Sequence, residues 1–204
     1  MNLSEPWLPE PWLLGWSPLE VTAAAFGVIS VYLSTRQNIW SWPTAIVNVA
    51  LYIVVFYQGR LYGQIALQPV YLTLSVYGWY QWLHGGEQHS RLRVSRASPR
   101  LLVLLGALTV VTWLVLAMIL RRTDAALPWT DALLTSTSLA AQWMMTRKIL
   151  ENWILWIAVD VVYVPLFISQ GLYAIALLYA AFLWLAVVGF VEWRRSIGLR
   201  LAGS

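Results

Sequence analysis

The sequence predicts an all-α integral membrane protein of seven transmembrane helices, and three observations carry that prediction. Of 204 residues, 60% are hydrophobic and only 11% are charged, whereas an ordinary soluble domain carries about 25% charge. The mean hydropathy is +0.65. The apolar residues gather into runs long enough for a bilayer, which takes about 20 helical residues per crossing, and little chain is left for a soluble domain. So apolar a chain is not disordered. With no cysteine, it holds neither a disulfide framework nor a thiolate metal site.

Taken in order, the predicted spans cover 18–35, 40–58, 63–83, 101–120, 128–146, 150–169 and 172–191. Ahead of the first, Met1 to Pro18 lacks the basic start of a signal peptide and carries Glu5 and Glu10, so it reads as a Trp-bearing interfacial lead-in. Span 1 opens at Ser17-Pro18 and span 5 at Pro128, both helix-start chemistry. Pro69 and Pro165 fall inside spans 3 and 6, where a kink or local break is expected. The long polar connection His84 to Arg100 reads as a surface loop. Trp40, Trp79, Trp82, Trp129 and Trp193, near helix ends, read as interfacial belt residues.

The net charge of +4 and pI near 9.6 do not point to nucleic acid, because the basic residues sit in short clusters between apolar runs. They are topology signals. One side holds ten of them: Arg36, Arg91, Arg93, Arg96, Arg100, Arg147, Lys148, Arg194, Arg195 and Arg200. The other holds Arg60, Arg121 and Arg122. The richer side is expected to face the cytoplasm, leaving the N-terminus outside and the C-terminus inside.

Self-similarity divides the chain further. Asn38-Ile39-Trp40-Ser41-Trp42 resembles Asn152-Trp153-Ile154-Leu155-Trp156, and Gln58-Gly59-Arg60-Leu61-Tyr62 resembles Gln170-Gly171-Leu172-Tyr173. Gly78-x3-Trp82 matches Gly189-x3-Trp193, and Thr35-Arg36 matches Thr146-Arg147. The expectation is a single membrane domain of two parallel three-helix repeats, about 18–83 and 128–193, joined by a linker helix at 101–120. Such repeats are related by an axis along the membrane normal, and transporters built this way bind their solute between the repeats near the midplane.

Polar residues at that depth cost free energy and are candidates for the site. Asp160 is the acidic residue at the centre of a span, and Trp153, Trp156, Asp160 and Tyr163 form one helical stripe with it. Span 2 offers Thr44, Asn48 and Tyr52; Asn48 and Asp160 each lie ten residues before a Gln-Gly pair. Span 3 offers Gln64, Gln68, Tyr71 and Ser75, span 5 Thr135, Ser138 and Gln142, and span 7 Tyr179 and Phe182. The substrate-binding set expected from these is Asn48, Tyr52, Gln68, Tyr71, Gln142, Trp153, Trp156, Asp160, Tyr163 and Tyr179. Amides, hydroxyls and aromatic walls suit a flat, polar, ring-containing small molecule, and a carboxylate with aromatic faces favours a cationic ring. Each has a bland alternative: Asn48 as an interhelical bond, the Ser and Thr of span 5 as packing residues, and Asp160 as a protonated hydrogen-bond donor.

Enzyme chemistry fares poorly. Both histidines, His84 and His89, lie in the polar loop, so no intramembrane Ser-His pair or His-carboxylate metal site assembles. No phosphate-cradling Gly-rich loop with a Walker lysine is present. No cofactor, metal or nucleic acid is expected; the partners are a small-molecule solute and the lipid bilayer.

Several motifs also resemble a known family. Asn48-Val49, Leu61-Tyr62 and Tyr77-Gly78-Trp79-Tyr80-x-Trp82, then Met145-Thr146-Arg147-Lys148, Glu151-Asn152-Trp153-x-x-Trp156 and Gln170-Gly171-x-Tyr173, are similar to the PnuC family of bacterial nicotinamide riboside transporters. The resemblance spans both predicted repeats. It implies a 3+1+3 fold like a SWEET sugar transporter in its repeats, an inner-membrane location, a homo-oligomer (a trimer), and facilitated diffusion followed by trapping through a separate cytoplasmic kinase. It also implies a pocket at Asn48, Trp153, Trp156 and Asp160, with Gln68 and Tyr71. Asp160 departs from the asparagine of some nicotinamide riboside carriers. Thiamine and riboflavin, assigned to related branches, therefore stay open as solutes. A membrane scaffold docking a soluble partner through Arg91 to Arg100 is the reading from another class.

Overall fold

The structure is a computed structural model, and it describes residues 16–58, 62–123 and 127–201. Among these residues seven α-helices follow one another: α1 Pro18–Thr35, α2 Ser41–Gln58, α3 Tyr62–His84, α4 Pro99–Leu120, α5 Pro128–Thr146, α6 Asn152–Ser169 and α7 Tyr173–Leu201. The first six lie close to the predicted spans. Arg60 and the side chain of Gln64, both considered above, fall outside the described residues.

Local chemistry sets the ends. Ser17 caps α1 in a closed box: its hydroxyl accepts from the Glu20 amide at 3.2 Å, and the Glu20 carboxylate accepts from the Ser17 amide at 2.7 Å. α1 and α5 stop in the same way. Gln37 and Lys148 take left-handed backbone (φ 55° and 50°). Their amides and those of Asn38 and Ile149 bond back to Ser34, Met145, Leu33 and Met144, the Schellman pattern. Pro69 and Pro165 do not break their helices, which run through both. α7 continues about ten residues beyond its predicted span. Its apolar run ends before Trp193, but the helix does not.

Among the described residues, five helices, α1, α2, α4, α6 and α7, are long and apolar enough to cross a membrane. α3 and α5 carry the polar stripes, and these two pack on each other. α1 packs on α2 and α7, α2 on α3, and α6 on α5 and α7, while α4 lies outside against α5. Replacing α1, α2 and α3 by α5, α6 and α7 turns the α1–α7 contact into the α5–α3 contact.

That exchange holds atom by atom at one end of the bundle. The Trp82 indole donates to the Met145 carbonyl at 3.0 Å and the Trp193 indole to the Ser34 carbonyl at 3.0 Å. Trp42 meets Trp82 edge-on at 5.3 Å, and Trp153 meets Trp193 edge-on at 5.4 Å. Gly78 sits under the Trp42 ring and Gly189 under the Trp153 ring, and a methyl group on either would collide with the indole. Every one of these pairs is 111 residues apart. The register suggested above by Asn38 and Asn152 is therefore three residues out: Trp42 corresponds to Trp153, and Asn38 to Ile149. Trp82 and Trp193 are also not belt residues. They are 2% and 0% exposed and form the centre of the core, whereas Trp40, Trp79 and Trp129 stay exposed.

Candidate solute site and its tryptophan cluster

Beyond the tryptophan end, a second aromatic group is built from α2, α3, α6 and α7. Tyr163 stacks on Phe167 at 5.3 Å with 7° between ring planes, as Tyr52 stacks on Phe56 at 5.3 Å. These are i, i+4 neighbours on their helices. Tyr179 of α7 lies 4.8 Å from Tyr163, 5.0 Å from Phe167 and 5.8 Å from Phe182. Tyr179 is within electrostatic reach of Tyr52, Tyr71, Asp160 and Tyr163; Tyr163 is within reach of Tyr71, Asp131 and Asp160. Asp160 itself is buried, 3% exposed. Tyr52, Tyr71, Asp160 and Tyr163 thus all lie around Tyr179, with Tyr163 in ring contact with it.

Asn48 reaches the same region from α2. Its amide donates to the Ala23 carbonyl at 2.6 Å, which ties α2 to α1. A methyl group on Gly27 would stand 3.1 Å from Asn48 Nδ2 and 3.5 Å from Phe182, so Asn48 and Phe182 share that glycine's surface. Gln68 is buried on α3, one turn before Tyr71, and Gln142 is half-buried on α5. In the 111-residue register Asn48 corresponds to Val159 and Asp160 to Val49. The two are one position out of step rather than equivalent, a shift of about 100° around an α-helix.

Trp153 lies elsewhere. It is 1% exposed inside the tryptophan cluster, against Trp193 and Gly189, and Trp156 packs half-buried against that cluster. The single stripe read from the sequence therefore has two parts. Its first turns belong to the tryptophan cluster and its last turns, Asp160 and Tyr163, to the tyrosine group. Phe167 and Asp131 escaped the sequence reading. Phe167 was signalled by its i+4 spacing from Tyr163. Asp131, in the first turn of α5, reads there as a residue that complements the helix dipole. Among the described residues, no three His, Cys, Asp or Glu side chains are placed to hold a metal. The arrangement offers aromatic faces, phenols, an amide and a buried carboxylate, groups of the kind that can bind and orient a ring-bearing solute.

Residues 17–195 match the model of the nicotinamide mononucleotide transporter family. The chain belongs to that family. It is a family of transporters, not enzymes, and the chain is a multi-pass inner-membrane protein. Its similarity extends to the nicotinamide riboside transporter PnuC of Escherichia coli K12, 28% identical over 90% of this chain and 87% of that protein. It extends also to the riboflavin/roseoflavin transporter RibM of Streptomyces davaonensis, 26% identical over 87% of this chain and 84% of that one. In fold it matches the crystal structure of the vitamin B3 transporter PnuC with a TM-score of 0.72, at 24% identity over 88% of this chain and 82% of that one.

Proposed function

We propose that this protein imports nicotinamide riboside by facilitated diffusion, rocking one three-helix repeat (about 18–83) against the other (about 128–193) with α4 as linker. The observation that carries the reading is that Tyr52, Tyr71, Tyr163 and Asp160, from both halves of the chain, lie around Tyr179. The N-terminus is outside and the C-terminus cytoplasmic, by the ten-to-three division of basic residues. A separate kinase phosphorylates and traps the solute, and the assembly is a homotrimer; both of these rest on family resemblance alone.

In this reading the pyridinium ring lies against Tyr163 and Tyr179 with Trp156 at the edge, and Asp160 offsets its charge. Asn48 and Gln68 bond the ribose hydroxyls, and Gln142 faces the same space from α5. Trp153 acts on solute only through the seal it builds with Trp193. Riboflavin is the second reading, favoured by the similarity to RibM. It is a neutral ring system for which a carboxylate partner has no special value. Thiamine, with a cationic ring, is the third.

The deciding experiment titrates the purified protein with nicotinamide riboside, thiamine and riboflavin, following tryptophan fluorescence with calorimetry beside it. Saturation by nicotinamide riboside, matched by saturable uptake into liposomes, is the expected result. Saturation by riboflavin or thiamine alone moves the function to that vitamin. Absence of solute-dependent exchange across the membrane would reduce the chain to a binding or scaffold subunit.

A further inference from the structure

Four buried indoles pack together at one end of the bundle, and they are of two kinds. Trp82 and Trp193 each donate to the opposite unit, to the carbonyls of Met145 and Ser34. Trp42 and Trp153 are as deeply buried, yet the N–H of neither has an acceptor among the described residues. The residue before each is in the same position: the Ser41 hydroxyl oxygen and the Asn152 amide oxygen have no partner either. Ser41 and Trp42 open α2, Asn152 and Trp153 open α6, and the two pairs are 111 residues apart. Serine and asparagine differ in shape, so the recurrence belongs to the shared frame and not to one side-chain rotamer.

The backbone amides at these positions are engaged: those of Ser41, Trp42, Asn152 and Trp153 bond to Asn38, Ile39, Ile149 and Leu150. The other half of the Asn152 amide donates to the Ile149 carbonyl. Four side-chain atoms are left over. Packing leaves them almost no surface that a water molecule could touch, so hydration does not replace the missing bonds in this arrangement. Each such atom opposes the packing that buries it. Trp82 stands edge-on to Trp42 at 5.3 Å and Trp193 to Trp153 at 5.4 Å, with Gly78 and Gly189 closing under the unbonded rings. The indoles that bridge the two units are thus the ones that enclose the unbonded indoles.

We propose that the four stranded atoms are counterweights that keep the tryptophan end poised to open. Closing this end makes two bonds between the units and strands two polar atoms in each. Opening it breaks the two bonds and gives the stranded atoms water. The closed arrangement is thereby kept from becoming too stable to part. This rests on the rocking motion given under Proposed function, with the tryptophan end as a part that moves, and it does not depend on which vitamin is carried.

The test replaces Trp42, Trp153, Trp82 and Trp193 one at a time by benzothienylalanine, which keeps the fused rings and puts sulfur where the N–H was. Opening is read from hydrogen exchange of the Ser95 and Leu150 amides in the full chain, in detergent and without solute. These amides bond to the Lys148 and Ser95 carbonyls, and the neighbouring Val94 is buried within the tryptophan cluster, so their protection reports on this end. Replacement at Trp42 or Trp153 should slow that exchange about fivefold, the factor that goes with one hydrogen-bonding group, and leave the thermal midpoint level or higher. Replacement at Trp82 or Trp193 should hasten exchange and lower the midpoint. Ser41→Ala, which removes one stranded oxygen and little volume, should slow exchange as the change at Trp42 does. Faster exchange with a lower midpoint at Trp42 and Trp153 would show that their N–H groups are bonded in the closed end, and overturns the proposal. Unchanged exchange at either position overturns it as well. Solute uptake by the parent protein is measured separately, so a failure of transport is not confused with a failure here.

Discussion

The first three helices and the last three share a frame but not a lining. At the tryptophan end each feature of one unit recurs in the other 111 residues on: the Trp42 and Trp153 rings over Gly78 and Gly189, and the Trp82 and Trp193 indoles on the last-turn carbonyls of the opposite unit. At the tyrosine level the stacked pairs Tyr52–Phe56 and Tyr163–Phe167 still correspond, and then the match fails. Asn48 corresponds to Val159, Val49 to Asp160, Gln68 to Tyr179 and Tyr71 to Phe182. A symmetric frame lets two similar units move against each other. A symmetric lining would offer the same groups twice, and a ring joined to a sugar has two different ends. On the proposed reading, the difference separates the part of the molecule that closes from the part that selects.

The largest effect falls on the frame. Trp82→Ala and Trp193→Ala each remove a nearly fully buried indole and its bond to the opposite unit, a loss of about 3–5 kcal/mol for a buried aromatic. Both should lower the thermal midpoint of the detergent-purified protein by similar amounts. A large shift in one and none in the other would show that the two tryptophans are not equivalent. Next comes the lining. Asp160→Ala should weaken binding of a cationic solute about 100-fold, on the order of 2.7 kcal/mol, with little change in midpoint. The exchange Val49→Asp with Asp160→Val moves the carboxylate to its counterpart. Retained affinity in that double variant would mean the lining is functionally symmetric after all.

Most of the frame was legible in the sequence. Helix starts at Ser17-Pro18 and Pro128 followed from capping chemistry, and six of the seven spans from hydropathy, because both are local. What escaped depended on which way a side chain faces. Tryptophan near a helix end serves a lipid interface or a protein core equally well, so the sequence reads Trp82 and Trp193 as belt residues although their indoles reach across to another helix. The repeat register slipped for a related reason: Asn38 and Asn152 matched as letters, while the backbone turn pairs Asn38 with Ile149. Burial of Val94 from the polar loop within the tryptophan cluster had no signal, since one valine among arginines shows no periodicity. For the expected site residues, the helix that carries each was readable. The division of the α6 stripe between tryptophan cluster and tyrosine group was not, because it is decided by α7.

Smaller effects test whether the frame is a close fit or merely an apolar one. Gly78→Ala and Gly189→Ala each place a methyl group against an indole, and overpacking of this kind costs about 1–3 kcal/mol. The paired positions should lose similar midpoint, and a neutral result at both would mean that the indoles shift freely.

The finest comparison is Trp82→Phe against Trp193→Phe. Each keeps an aromatic ring and removes one indole N–H, and one hydrogen bond is worth about 1 kcal/mol. The carbonyls left behind, of Met145 and Ser34, still accept from the amides of Lys148 and Gln37, so neither substitution strands a buried acceptor. The loss therefore falls on the link between the units more than on either unit. If these bonds hold the sealed end shut, each variant should raise the exchange rate in liposomes up to about fivefold while leaving solute affinity near that of the parent, and the double variant should raise it further. Reduced affinity with unchanged rate would instead assign these tryptophans to the solute site. An effect at Trp82 alone would locate the moving contact between α3 and α5 and leave the α1–α7 contact as a fixed hinge.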